Sequence, residues 1–100
     1  MTTLAKPKVI FFDRDGTLIE DKIYLNDPEQ IVYLPGCFEA LRRLRDHNYQ
    51  FIVVTNQSGV ARGIVDVKNI KEIHRRIRGE FAKQGVDLSL IHISEPTRPY

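Results

Sequence analysis

Val9-Ile10-Phe11-Phe12-Asp13-Arg14-Asp15-Gly16-Thr17 is the stretch on which the fold turns. Its first four residues are a continuous β-branched and aromatic run, the pattern of a parallel strand buried on both faces. The run stops abruptly at a polar loop, with a glycine where the chain must turn. The arrangement recurs further along, where Phe51-Ile52-Val53-Val54 runs into Thr55-Asn56-Gln57-Ser58-Gly59. Two buried strands that each end in a polar loop predict an α/β domain with functional loops at the carboxyl ends of parallel strands. Successive strands in such a unit are usually close, so both loops face one crevice.

The segments between and after the strands read as helices. Pro35-Gly36 opens the first, in which Phe38, Leu41 and Leu44 fall three apart with Arg42, Arg43, Arg45 and Asp46 on the other side. His47-Asn48 closes it. Asp66 is an N-cap candidate for the second, whose apolar face is Val67, Ile70, Ile73, Ile77 and Phe81. Gly79 inside that helix costs about 1 kcal/mol against alanine. His47 and His74 fall at polar helical positions and are expected to be exposed. Lys71, Arg75, Arg76 and Arg78 form a solvated basic face. Asn26-Asp27-Pro28 marks a turn. The order is strand, helix, strand, helix: a right-handed βαβ unit running into a further helix. It implies a Rossmann-like three-layer parallel sheet, truncated after the second βα unit.

Composition narrows the classes. One hundred residues make one domain at most, and 42% of them are apolar, an ordinary share for a globular protein. The early apolar run is too short for a secretory signal, and no segment approaches the ~20 residues that span a bilayer. The single cysteine, Cys37, forms no internal disulfide and builds no metal site alone; beside a Pro-Gly helix start it reads as a small apolar residue. A reducing cytoplasm and a monomer are expected. The formal charge of +2 tolerates an anionic substrate without pointing to nucleic acid or membrane.

The last thirteen residues, Leu88-Ser89-Leu90-Ile91-His92-Ile93-Ser94-Glu95-Pro96-Thr97-Arg98-Pro99-Tyr100, resemble the in-frame translation of a transposase adaptor used in sequencing-library preparation. On that resemblance residues 1–87 are the domain and 88–100 stand outside it. The alternative is a genuine short strand, Leu88–Ile93, with a loose proline-containing tail.

The chemistry sits in the two loops. A carboxylate at a strand end, Asp13, is a legitimate nucleophile for phosphoryl transfer, giving an acyl phosphate that water later cleaves. Carboxylate and dianionic phosphate repel: at ~4 Å two unit charges cost about 1 kcal/mol in water and several times more in a partly buried site. A hard divalent cation removes that penalty, and magnesium, which takes oxygen ligands, suits. Asp15, two residues on, can protonate the leaving oxygen and then take a proton from the attacking water. Gly16 lets the backbone close around a phosphate. Across the crevice, the Thr55 hydroxyl and the amides around Asn56 are donors for the equatorial phosphoryl oxygens. Asp-x-Asp alone is common in turns; the weight comes from its place after one apolar strand with Thr55-Asn56 after another.

These residues carry a resemblance. Phe11-Phe12-Asp13-Arg14-Asp15-Gly16-Thr17-Leu18 with Val53-Val54-Thr55-Asn56-Gln57-Ser58-Gly59-Val60-Ala61-Arg62-Gly63 resembles the haloacid dehalogenase-like superfamily, and within it the branch of heptose 1,7-bisphosphate 7-phosphatases and histidinol-phosphatases. The resemblance implies Asp13 as nucleophile and Asp15 as proton donor, with Mg2+ held by the Asp13 carboxylate and the Asp15 main-chain carbonyl. It implies substrate contacts from Asp21, Lys22, Ile23 and Tyr24 and from Thr55, Asn56, Gln57 and Ser58, the substrate being a small phosphorylated sugar. Histidinol phosphate and a polynucleotide 3'-phosphate end are the alternatives, and a non-catalytic phospho-acceptor domain is the alternative outside enzymes. The basic residue that neutralises phosphate in that family, and the later acidic metal ligand, have no counterpart before Asp87. The zinc-binding Cys/His loop of many members is likewise without a counterpart. The 100-residue chain is therefore expected to be inactive and marginally folded. Arg62 could reach a second phosphate or stand as a solvated loop arginine.

Overall fold

β1 (Lys8–Asp13), β2 (Tyr49–Asn56) and β3 (Leu88–Ile93) lie side by side, all parallel, in that order. The structure, a computed structural model, describes residues 8–22, 25–56, 63 and 66–93, without the side chains of residues 56, 92 and 93. Register aligns Ile10 with Phe51 and Leu88, and Phe12 with Val53 and Leu90. Because side chains alternate across a strand, these six residues share one face of the sheet. α1 (Cys37–Asp46) and α2 (Val67–Lys83) cover that face. Cys37 and Leu41 of α1 and Ile73, Ile77 and Phe81 of α2 share one core with Phe51, Val53 and Leu88. Two crossovers of the same hand along strand order β1-β2-β3 give this one-sided cover.

The opposite face differs from the sequence expectation of strands buried on both sides. Val9, Phe11 and Ile91 are 45%, 66% and 50% exposed. Both helices pack on the same side of the sheet. The sheet also runs one strand further than the truncated two-strand unit that the sequence spacing predicts. Leu88–Ile93, which the adaptor resemblance sets outside the domain, is β3, because Leu88 and Leu90 continue the apolar rows begun at Phe51 and Val53. A third strand gives the sheet more than the two-stranded minimum, which is marginal in water.

The helices follow their sequence signals closely. Gly36, with φ of 79°, sits in the left-handed region just before α1. Leu41 is buried, Phe38 and Leu44 are half-buried, and Cys37 is a core residue whose thiol burial pushes up in pKa. Asp66 caps α2 by accepting from the Lys68 amide at 2.8 Å. Ile70, Ile73, Ile77 and Phe81 are fully buried. Two residues depart from the helical-wheel assignment. Val67, in the first turn, is exposed, and His74, placed by its polarity on the outer face, is buried. Phe38 and Phe81 pack with tilted rings, centroids 4.6 Å apart, and the Tyr33 ring lies 5.2 Å from that of Phe38. This aromatic contact ties α1, α2 and the long β1–α1 connection together.

That connection contains a short 3-10 helix, Pro28–Gln30, capped by Asp27. It is tied to α2 by Arg76 Nη1 donating to Glu29 at 2.8 Å. Asn26 Oδ1 accepts from the Asp66 amide at 2.9 Å and from Asn69 at 3.2 Å. His47 is exposed as expected, and so are Lys71, Arg75 and Arg78 of the basic face.

Phe81→Ala is expected to lower unfolding free energy by about 3–5 kcal/mol, through lost transfer energy and a core cavity. Gly79→Ala should raise it by about 0.5–1 kcal/mol, since an added Cβ meets nothing within 4 Å and helix propensity improves. Urea denaturation of the two variants beside wild type checks both signs.

Candidate active site

Asp13 is the last residue of β1, exposed, and pairs across the sheet with Val54 of β2. The chain then turns under tight local bonding. The amides of Leu18 and Ile19 donate to the Arg14 carbonyl at 3.1 and 3.4 Å, and the Gly16 amide donates to the Ile19 carbonyl at 2.8 Å. Gly16 has φ of 80°, where a side chain is strained. Leu18 and Ile19 are fully buried and anchor the turn in the core. The Glu20 amide donates to Val32 and the Leu34 amide to Leu18, at 2.8 and 3.0 Å, so the returning chain braces the loop. Apolar anchors and backbone ties thus hold both carboxylates at the carboxyl edge of the sheet.

Asp15 is half-buried and is gripped by its neighbour. Arg14 Nε donates to Oδ1 at 3.1 Å and Nη2 to Oδ2 at 3.0 Å. Arg14 is itself only 2% exposed, and its Nη1 lies 3.2 Å from His74 Nε2 on α2. Burial raises the Asp15 pKa above its ordinary value. Arg14 opposes this through its charge and hydrogen bonds, while the charges of Asp21 and Asp13 add to the rise. The net direction favours a carboxyl that can hold a proton, as a general acid must.

Of the other residues expected at the site, Asp21 is close enough to act electrostatically on Asp15. Lys22 pairs with Glu20 at 3.5 Å. Thr55 follows the β2 partner of Asp13 and is buried, on the helix-covered side of the sheet. Asn56 ends β2, bringing its backbone to the same edge. Ile23, Tyr24, Gln57, Ser58 and Arg62 lie outside the described residues. Arg14 and His74 are the members that motif reading misses. The signal for His74 is in the sequence: it stands four after Ile70 and three before Ile77, on the buried stripe of α2.

The donor set suits a hard cation: an exposed carboxylate at a strand end beside a second carboxyl. Among the described residues no group of three or more His, Cys, Asp or Glu side chains could hold a metal ion.

A parallel α/β sheet with a carboxylate pair on the first strand-end loop defines a haloacid dehalogenase-like domain, the class the sequence resemblance implies. The chain belongs to the polynucleotide kinase 3 phosphatase family, whose pattern it matches over residues 8–95. It is 36% identical over 83 residues to the D-glycero-alpha-D-manno-heptose-1,7-bisphosphate 7-phosphatase of Photorhabdus laumondii, covering 83% of this chain and 45% of that one. It is 39% identical over 85 residues to the D-glycero-beta-D-manno-heptose-1,7-bisphosphate 7-phosphatase of Pasteurella multocida, covering 85% and 46%. Among solved structures it resembles the D,D-heptose 1,7-bisphosphate phosphatase of B. bronchiseptica complexed with magnesium and phosphate. The TM-score is 0.78 at 31% identity, over 92% of this chain and 51% of that one. The chain spans about half the length of the curated relatives it matches. Among the described residues no helix is long and apolar enough to cross a membrane.

Gly16→Ala should destabilise the fold by about 1–2 kcal/mol although open space surrounds the site, because the cost is the left-handed backbone alone. Equilibrium denaturation reads it; an unchanged midpoint would mean that the turn relaxes to negative φ.

Proposed function

We propose that this chain supplies the nucleophile and the proton donor of a phosphomonoesterase, with the 7-phosphate of D-glycero-D-manno-heptose 1,7-bisphosphate as substrate group. The observation that carries the reading is the pair at the end of β1: Asp13 open to solvent, and Asp15 half-buried two residues on with its pKa raised. The names of the relatives support the sugar.

In the first half-reaction an Asp13 carboxylate oxygen bonds to phosphorus while the bond from phosphorus to the sugar oxygen breaks. Asp15 gives its proton to that departing oxygen. In the second, water bonds to phosphorus, its proton passes to the Asp15 carboxylate, and the bond from phosphorus to Asp13 breaks. Inorganic phosphate leaves and both side chains return to their starting states. The Asp13 carboxylate and the Asp15 main-chain carbonyl would hold Mg2+, which when bound screens the repulsion between carboxylate and phosphate. Thr55 and the Asn56 backbone, at the end of the neighbouring strand, would donate to the phosphoryl oxygens, and Asp21 and Lys22 would contact the sugar.

The family description favours a second reading, in which the phosphate sits on a polynucleotide 3' end. Turnover of the full-length protein on heptose bisphosphate, histidinol phosphate and a 3'-phosphorylated DNA end separates the substrates; preference for the DNA end would sink the sugar assignment. Asp13→Asn should abolish turnover of every substrate and all covalent phosphate. Asp15→Asn should cut turnover of the sugar phosphate by about 100-fold or more, while p-nitrophenyl phosphate, whose leaving group needs no proton, still phosphorylates Asp13, and acid-quenched mass spectrometry reads that adduct. A phospho-acceptor domain would instead give a wild-type phosphate half-life with Asp15→Asn.

A further inference from the structure

We infer that Arg14 and His74 act together as a positioning pair for Asp15, fixing the plane of its carboxyl from the core of α2. The inference rests on the proton-donor role proposed above for Asp15 and extends it to residues outside the Asp-x-Asp motif.

The geometry carries it in three steps. Arg14 is fully sequestered, and a buried guanidinium must find acceptors for its hydrogens. Two of them go to the two oxygens of Asp15 in a planar fork. A fork holds both oxygens at once, so it sets the rotation of the carboxyl group as well as its place. The third step is the anchor. Arg14 Nη1 meets His74 Nε2 at 3.2 Å across sixty residues of chain. Arginine has no acceptor, so Nε2 must be the lone-pair nitrogen, and the imidazole carries its proton on Nδ1. His74 sits between Ile73 and Ile77, both fully buried in the core. The order of control therefore runs from the core of α2 to His74, to Arg14, to Asp15.

Stability gives little reason for such an arrangement, since buried ion pairs are often replaceable by apolar residues at no loss. Alignment of a proton donor gives a better one, because small misplacements at a reacting centre are expensive in rate, by as much as about 100-fold for 1 Å. Consecutive residues such as Arg14 and Asp15 could pair in several relative orientations. The contact with a rigid helix selects one.

Leaving-group chemistry distinguishes positioning from mere structure. A sugar alkoxide needs Asp15 to protonate it, whereas p-nitrophenolate leaves without help. His74→Leu in the full-length protein, freed of the acceptor, should lower kcat on heptose bisphosphate by about 10–100-fold with KM within about threefold. On p-nitrophenyl phosphate it should give a burst of one nitrophenolate per enzyme, followed by slow turnover with phosphate trapped on Asp13, because the same carboxyl must then activate water. His74→Gln, whose side-chain oxygen can accept from Arg14, should restore sugar-phosphate kcat to within about fivefold of wild type. Should His74→Leu not fold, Arg14→Lys carries the test, since it keeps the charge, loses the fork, and should show the same slowed sugar-phosphate turnover with the nitrophenolate burst retained. Wild-type kcat in His74→Leu or Arg14→Lys overturns the inference. So does loss of the nitrophenolate burst together with sugar-phosphate turnover, neither restored by His74→Gln. Absence of turnover and of burst in the wild type would be a different failure, that of the phosphatase reading itself, and would take this inference with it.

Discussion

Parallel pairing of β1 with β2, in the register that sets Asp13 beside Val54, is the constraint from which the site follows. A parallel pair must end at one common edge, so Asp13 and Asn56 leave the sheet on the same side. The apolar rows Ile10-Phe51-Leu88 and Phe12-Val53-Leu90 fix the register, since a slip of one residue would turn them to solvent. A packing requirement in the middle of the sheet thereby decides where the Asp13 carboxylate stands at its rim.

The site inherits its rigidity from that packing. Leu18 and Ile19 pull the turn after Asp13 into the core, and the backbone bonds to Val32 and from Leu34 brace it from the far side. Asp15 then experiences two opposed influences. Burial disfavours its charge, and the adjoining guanidinium favours it; burial prevails, helped by two nearby carboxylates. The balance leaves Asp15 a weaker acid than an ordinary aspartate.

Most of the architecture was legible because it is periodic. Val9–Phe12 and Phe51–Val54 are short apolar runs ending in polar loops, and Ile70, Ile73, Ile77 and Phe81 mark a helix stripe that the structure buries completely. The Asp66 cap was legible too, through its side-chain chemistry. His74 was not, because its polarity outweighed its position on that stripe; a buried polar residue is recognisable only once its partner is known, and Arg14 is sixty positions away in the chain. The exposure of Val9 and Phe11 was equally hidden. A strand's own sequence states that it is apolar, while the number of layers that cover it depends on where the crossovers run. Leu88–Ile93 was legible as a strand on the alternative reading of the tail, through Leu88 and Leu90 at alternate positions.

The wet apolar side of the sheet has a calorimetric meaning. Phe11 and Ile91 are already hydrated in the native state, so unfolding uncovers less new hydrocarbon than the composition implies. The heat-capacity increment scales with that newly hydrated area, and so does the steepness of the denaturant transition. The chain should accordingly have a flattened stability curve, broad in temperature.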